Sequence, residues 1–415
     1  TRLTMLLRLA LSALLLSGAS GFMVPRAFSA KLTSPALYST ATPAPPAPRK
    51  TPVFDEVCET TGVTLTRFMI EVAMLNPELS ELPSLFSGIE TACKAISNMV
   101  KRSQLTGLIG YAEGGGSINV QGEEQKTLDI MTNDVLKRAL RFTGKLGVLA
   151  SEEEDTPVDV IDSSDSSEKD VMFDETSKYT AVFDPLDGSS NVDAGIPTGT
   201  IFGIFEHDEE CVVEDNKDMT EAEMKCLTNT LKPGTDLIAS GYCLYSSSCF
   251  FVMTVGCGVY GFTLDESIGE FVLTHPNIKI PEQSKIYSFN EANMPQWDAP
   301  MRETVEKWRL GEGKSGNRFS SRYIGSMVGD VHRTLLYGGV FGYPSDSKNK
   351  NGKLRLLYEG APMSYLMEQA GGLSNTGTKR VMEITPEEVH QRVPIVMGSK
   401  ADVQEVIDAY KAAGM

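Results

Sequence analysis

The segment Phe183-Asp184-Pro185-Leu186-Asp187-Gly188-Ser189-Ser190-Asn191 sets two carboxylates three residues apart around a proline, then adds glycine and hydroxyls. Pro185 stiffens the turn, so Asp184 and Asp187 can face one divalent cation; hard cations such as Mg²⁺ take oxygen ligands. The backbone N–H groups after Asp187 can receive phosphate oxygens, above all at a helix start. Asp-Pro and Asp-Gly are also ordinary turn dipeptides. The attached Gly188-Ser189-Ser190-Asn191 tips the segment towards metal and phosphate. Further acids stand elsewhere. Glu152 and Glu153 follow the apolar run Val148-Leu149-Ala150, Asp129 lies in Thr127-Leu128-Asp129, and Glu359 follows Leu354-Arg355-Leu356-Leu357-Tyr358. Each has a plainer reading: a solvated acidic loop, a helix cap and a surface strand end. An acid at the C-terminal end of a strand is nevertheless well placed for a crevice site.

A substrate with two phosphates needs a cationic end opposite the metal end. Arg322-Tyr323 sits in Ser320-Ser321-Arg322-Tyr323-Ile324-Gly325-Ser326. Arginine grips phosphate bidentately, and tyrosine adds a directional hydroxyl. Lys348, Lys350, Lys353 and Arg355 form a second basic cluster near Tyr343; surface charge is the bland alternative for both. The chain has no CxxC or HxxxH metal pattern, no GxSxG elbow and no GxxxxGK[ST] phosphate loop. His332, alone in Asp330-Val331-His332-Arg333, reads as structural or charge-organising rather than as a base.

The elements that must position these groups are legible in outline. Thr64 caps a helix beginning at Leu65, which Pro77 and Pro83 close. Ser87 to Lys101 predicts a second helix with Ile89, Ala92, Ala95, Ile96 and Met99 on one face. Leu128 to Thr143 predicts a third. Strands are expected at 148–150, 179–183, 198–205, 237–242, 249–254, 259–263 and 270–273. Residues 155–175 and the acidic insertion 206–233 interrupt them. A boundary follows around 275–285. Beyond it come strands at 285–289, 354–359 and 393–398, and helices containing Trp308, starting at Gly325, over 363–370 and over 403–412. The pattern predicts an α/β protein of two layered domains, 54–278 and 279–415.

The 415 residues carry 38 basic and 55 acidic side chains, a formal charge of -17. Such a surface argues against nucleic acid, though not against small phosphorylated substrates. No tract of about 20 apolar residues lies inside the folded region, so no membrane association of the mature form is expected. Residues 1–50 read as a cleaved bipartite address. Arg2 and Arg8 flank an apolar run, followed by an acid-free, basic, hydroxyl-rich stretch to Arg49. This tandem points to the stroma of a plastid with extra membranes, reached by a signal peptide plus a transit peptide; a disordered tail after a secretory signal is the alternative. Seven cysteines, an odd number, rule out a fully paired framework within one chain.

Taken together, and in this order, these segments resemble fructose-1,6-bisphosphatase from about Thr64 to the C-terminus. Gly199-Thr200-Ile201-Phe202-Gly203, Ser288-Phe289-Asn290-Glu291 and Asp330-Val331-His332-Arg333-Thr334 contribute as well. The insertion most resembles that of the plastid form. The resemblance implies the sugar-phosphatase fold with the active site at the junction of two layered α/β domains. It implies two or three Mg²⁺ per subunit on Glu152, Asp184, the Leu186 carbonyl, Asp187 and Glu359. Glu153 and Asp129 would position and deprotonate the attacking water. Gly188, Ser189 and Ser190 would meet the transferred phosphate. Asn290, Arg322, Tyr323 and Tyr343 would hold the distal sugar phosphate, with Arg322 reaching a neighbouring subunit of a homotetramer, and Lys353 would lie near the sugar and the transferred phosphate. It further implies a Cys211–Cys226 disulfide reduced by thioredoxin. There are two departures: Asn293 replaces a tyrosine of some members, and Leu231 stands where the plastid pattern has a third cysteine. Sedoheptulose-1,7-bisphosphatase, an inositol-phosphate phosphatase and a catalytically silent scaffold are the competing readings.

Overall fold

Thr64 accepts a hydrogen bond from the Arg67 N–H at 3.3 Å and starts α1 (Leu65–Leu75) as its residue type predicts. The computed structural model describes residues 62–108, 126–159, 178–208 and 221–415. The targeting segment, Cys211 and residues 160–175 of the first acidic stretch therefore lie outside the described residues. The second helix, α2 (Leu82–Thr106), starts five residues before the expected Ser87. Pro83 lies in its first turn, where a missing N–H breaks no helix bond, so this proline opens a helix instead of closing one. Ile89, Ala92 and Ile96 are buried on its inner face, but Ala95 is exposed. The third helix, α3 (Thr127–Arg141), covers the expected segment.

Eight strands follow: β1 (Leu146–Ser151), β2 (Val158–Asp159), β3 (Tyr179–Asp187), β4 (Thr198–Glu206), β5 (Leu237–Tyr245), β6 (Cys249–Thr254), β7 (Val259–Asp265) and β8 (Glu270–Ile278). They form one sheet in the order β2-β1-β3-β4-β5-β6-β7-β8, antiparallel except for the β1–β3 pair. A helix not expected from the sequence, α4 (Glu221–Thr230), occupies the acidic insertion. The second sheet contains β9 (Ile286–Ser288), β10 (Ser320–Ser321), β11 (Val340–Tyr343), β13 (Leu373–Asn375) and β15 (Ile395–Gly398), ordered β10-β9-β11-β15-β13. A small ladder joins β12 (Leu354–Arg355) to β14 (Arg392–Val393). Helices α5 (Ala299–Leu310), α6 (Met327–Tyr337), α7 (Ala361–Gln369) and α8 (Lys400–Ala412) complete the chain.

The first sheet is covered on both faces. Leu65, Phe68, Phe86, Ile89 and Leu136 of α1–α3 pack on one side with Phe183, Phe202 and Phe251. On the other, Val182, Ile201, Tyr242 and Val252 share a core with Val328 and Val331 of α6, Met363 and Leu366 of α7, and Ile395 and Met397 of the second sheet. A third cluster surrounds Trp308, whose indole N–H donates to Glu405 at 3.0 Å. The result is the two layered α/β domains that the sequence predicts. Among the described residues, no helix is long and apolar enough to cross a membrane.

His332 has the structural role expected of it. Its Nδ1 lies 2.7 Å from the Tyr242 hydroxyl, and its ring packs on Phe250. Burial lowers its pKa from 6.5 to about 4, with His275 adding like charge. The unfolded chain therefore takes a proton at a higher pH than the fold does. The stability this provides is complete above pH 6.5 and is lost as pH falls towards 4, roughly 3 kcal/mol at about 1.4 kcal/mol per unit. Urea unfolding between pH 7 and pH 4 should show that loss in the wild type and a shallower one in His332→Gln. Parallel acid limbs would contradict it.

Candidate active site

The turn carrying Asp184 and Asp187 is an interruption in a ladder. β3 and β4 pair regularly through Phe183↔Phe202 and Asp184↔Ile201, then resume only at Asp187↔Gly199. Pro185 has no N–H to give the ladder, so the chain bulges between the two aspartates. The Asp184 Oδ1 accepts the Leu186 N–H at 3.0 Å, which closes the turn and leaves both carboxylates on one side. Gly199 lets the bulge sit close to α6. A Cβ there would lie 2.6 Å from the Cys243 carbonyl oxygen and 2.7 Å from Val328 Cγ1. That approach allows the Val328 N–H to donate to Asp187 at 3.2 Å. Gly188 then reverses the chain at φ 75°, a left-handed conformation suited to glycine, and a short 3₁₀ turn Ser189–Ala194 follows.

Glu359 reaches the same place by a route the sequence did not predict. The expected strand 354–359 ends at Arg355, and Leu356–Gly360 forms a single π-helical turn leading into α7. Such turns cluster at functional sites. The Arg355 N–H donates to Glu359 Oε2 at 2.5 Å and aims the carboxylate inward. Oxygen atoms of Asp184, Asp187 and Glu359 all come within 4.8 Å of one another. The Glu152–Glu154 run is sorted by its neighbours. Glu154 is tied to Asn133 at 2.8 Å and to Lys137 at 2.5 Å, whereas Glu152 and Glu153 line the cavity. Asp129 has the cap role that its plainer reading gives it. Its Oδ2 caps α3 by accepting the Lys126 N–H at 2.9 Å, and the residue also lines the cavity.

Burial is the main electrostatic force on this cluster. It holds the Asp184 carboxyl well above the usual range, with Glu152, Asp187, Glu359 and Glu153 adding repulsion. It pushes Asp187 up to about 6 against the Val328 N–H, Lys353 and Arg355. It pushes Glu359 up to about 7, opposed chiefly by Arg355. Crowded, buried, oxygen-only donors that repel one another fit a hard divalent cation. Arg355, grouped with surface lysines by the sequence, is 7% exposed and pairs with Glu152 at 2.9 Å. An arginine inside an apolar run was the signal for it, because arginine is rarely buried unless paired.

The cavity measures about 490 Å³ and is lined by these carboxylates and by Tyr323, Tyr343 and Lys353. The Tyr323 and Tyr343 hydroxyls meet at 2.5 Å, and the Lys353 ammonium lies 5.8 Å from the Tyr343 ring centre. Leu186, Gly188, Ser189 and Ser190 line it as well. Asn290 and Arg322 are not among the lining residues. Asn290 caps a 3₁₀ turn, and the exposed Arg322 donates to the Ser321 carbonyl at 2.9 Å. Lys126, not singled out from the sequence, lines the wall and pairs with Asp193 at 2.9 Å.

Asp330, also unforeseen, organises the Tyr323 loop. Fully buried, it accepts from Ile324 N–H at 3.0 Å, Gly325 N–H at 3.0 Å and Ser288 Oγ at 2.6 Å, and pairs with Arg333 at 2.8 Å. Asp330→Ala strands these donors and should cost roughly 3 kcal/mol or more. It should also raise KM more than it lowers kcat, because the loosened loop carries Tyr323 and not the carboxylates. Denaturant melts and steady-state kinetics check both expectations.

A layered α/β sugar-phosphatase fold surrounding a buried, oxygen-only acidic centre defines the class. Comparisons with known proteins specify it further. Sequence models of the fructose-1-6-bisphosphatase N-terminal and C-terminal domains match residues 63–276 and 280–411. The chain belongs to the fructose-1,6-bisphosphatase family. It is 47% identical over 372 residues to "Fructose-1,6-bisphosphatase, chloroplastic" of Triticum aestivum, covering 89% of this chain and 86% of that one. It is 48% identical to "Fructose-1,6-bisphosphatase 1, chloroplastic" of Arabidopsis thaliana, covering 83% and 79%. The crystal structure of Leishmania major fructose-1,6-bisphosphatase in holo form superimposes with a TM-score of 0.73 at 37% identity, covering 85% of this chain and all of that one.

Proposed function

We propose that this chain hydrolyses fructose 1,6-bisphosphate to fructose 6-phosphate and phosphate in a plastid stroma, as a Mg²⁺-dependent enzyme of the Calvin cycle. The observation that carries this reading is one cavity lined by clustered carboxylates together with Tyr323, Tyr343 and Lys353. The chloroplastic relatives from wheat and Arabidopsis support the compartment.

In this reading Glu152, Asp184, the Leu186 carbonyl, Asp187 and Glu359 hold two or three Mg²⁺. When bound, the ions neutralise phosphate charge and lower the pKa of water. The chain's own groups do the rest. Gly188, Ser189 and Ser190 cradle the phosphate to be transferred. Glu153 and Asp129 hold the attacking water in line and take its proton. Tyr323 and Tyr343 fix the distal phosphate with Asn290, Lys353 lies near the sugar and the transferred phosphate, and Arg322 serves a neighbouring subunit of a homotetramer. We further propose the division into an address at 1–50 and domains at 54–278 and 279–415. Thioredoxin is the proposed reductant of a Cys211–Cys226 disulfide in insert 206–233; Cys226, on α4, is buried.

Phosphate release from fructose 1,6-bisphosphate and sedoheptulose 1,7-bisphosphate, measured side by side with and without dithiol, tests the substrate. Faster turnover of the fructose sugar is expected, and a preference for the seven-carbon sugar would overturn the assignment. Glu153→Gln should cut kcat by roughly 10²-fold or more with KM nearly unchanged, in line with general-base contributions of about 10²–10⁴. Unaltered kcat would remove Glu153 from its role.

A further inference from the structure

Three cysteines, none of them from the acidic insertion, meet in the core of the first sheet. Cys243 of β5 and Cys249 of β6 have Sγ atoms 3.5 Å apart, and Cys93 of α2 lies against Cys243. All three are free thiols, at most 2% exposed. Cys249 faces Tyr245 across the β5–β6 ladder. The Tyr245 hydroxyl is 2.7 Å from Thr200 Oγ1, which donates to the Pro185 carbonyl at 2.8 Å. Thr200 has one hydroxyl proton and gives it to Pro185, so Tyr245 is the donor to Thr200. A continuous chain thus runs from the thiols to the peptide unit between Asp184 and Asp187.

We propose that Cys249 and Cys243 form an oxidation site that a peroxide converts to a disulfide, disturbing the Asp184–Asp187 turn through Tyr245 and Thr200. A cavity of about 330 Å³ lined by Lys101, Tyr245 and Ser246 opens at the end of β5, at the residue that Cys249 faces across the ladder; the cysteines themselves do not line it. The neighbouring Cys243 thiol, and then the Lys101 ammonium, hold the Cys249 thiol below its ordinary value against burial. Cys249 is therefore the attacking thiolate. It displaces water from hydrogen peroxide, forming a sulfenic acid, with the proton of Cys249 leaving in that water. The Cys243 sulfur then attacks the sulfenic sulfur, a second water leaves with the Cys243 proton, and the S–S bond closes. Two thiols are oxidised and one peroxide is reduced to two waters.

Closure must shift the backbone. Cys243 and Cys249 are diagonal neighbours across the ladder, where Cα atoms lie about 7–8 Å apart. Disulfides prefer about 4.4–6.8 Å. The strand that moves carries Tyr245, so its bond to Thr200 is the first to change. Misplacement on the order of 1 Å can cost catalysis about 10²-fold.

The site is independent of Cys211 and Cys226. Its effect on turnover rests on the function proposed above, but the chemistry at the thiols does not. The test uses the full chain carrying Cys211→Ser, which removes the insertion pair. After hydrogen peroxide treatment and alkylation, fragment-ion mapping should find Cys243 joined to Cys249, with Cys93 and Cys257 alkylated. Turnover should fall roughly tenfold or more, and dithiothreitol should restore it. Adding Cys243→Ala should abolish both the link and the reversible loss. If that variant does not fold, the mapping on Cys211→Ser alone decides. Sulfinic acid at Cys249 without a link, a link through Cys93 or Cys257, or a Cys243–Cys249 link with unchanged turnover would each overturn the proposal. A link formed in a protein inactive on every bisphosphate would support the oxidation site while the phosphatase reading failed.

Discussion

Asp184→Asn is expected to lower kcat on the order of 10³-fold while raising the melting temperature of the chelated protein. The two effects have one cause. Asp184 is 3% exposed and surrounded by Glu152, Asp187, Glu359 and Glu153, so in the metal-free fold its charge is repelled and desolvated. Removing that charge relieves the fold. The same replacement takes away a central oxygen donor, and the Lewis-acid stabilisation it supports is worth several kcal/mol, equivalent to about three decades in rate. Asparagine keeps the size and the acceptor for the Leu186 N–H, so the turn should persist. Phosphate release and thermal melts in chelator give the two readings. A variant within tenfold of wild type, or one that melts lower without metal, would contradict this assignment of Asp184.

Arg355→Met should have the second largest effect, with the opposite sign for stability. Arg355 and Glu152 form an ion pair at 2.9 Å with both side chains nearly enclosed. Deleting one partner of a buried pair costs about 3–5 kcal/mol, because the other charge is left uncompensated. Here the remaining charges also include Asp187 and Glu359, on both of which Arg355 acts. The chelated variant should therefore melt well below wild type, and Mg²⁺ should recover part of the difference by supplying positive charge. Turnover should fall as well, because the Arg355 backbone N–H that orients Glu359 lies on the displaced residue. An unchanged melting temperature, or a deficit that Mg²⁺ leaves untouched, would show that the pair does not hold the centre together.

The parts of the site legible in the sequence were those with local chemistry. Asp184-Pro185-Leu186-Asp187-Gly188 announces itself because proline and glycine each force a specific backbone, and the structure uses both. Thr64 was legible for the same reason, as a cap. Glu359 was placed at a strand end because Leu354 to Tyr358 is buried on every side. Such a run carries no period to separate strand from helix or π turn. Pro83 reads as a stop because proline marks both ends of helices, and only the apolar spacing from Leu82 onward distinguishes them. β11 went unpredicted because it is four residues long and contains Gly342. Asp330 and Arg355 were missed in another way. The Ser288 partner of Asp330 and the Glu152 partner of Arg355 lie far away in the chain, so no sequence window contains those two interactions. Helix α4 lies in an acidic insertion whose composition reads as loop, and tertiary contact overrides that prior.

The most direct measurement of the central claim is Mg²⁺ titration of fructose 1,6-bisphosphate hydrolysis in the purified protein after chelation, followed by phosphate release. The account predicts no turnover without metal, saturable activity as Mg²⁺ is added, and an Asp184→Asn turnover that stays on the order of 10³-fold below wild type at every Mg²⁺ concentration. Metal-independent hydrolysis, or an Asp184→Asn variant that titrates as wild type does, would contradict the claim that Asp184, Asp187 and Glu359 form the catalytic metal centre.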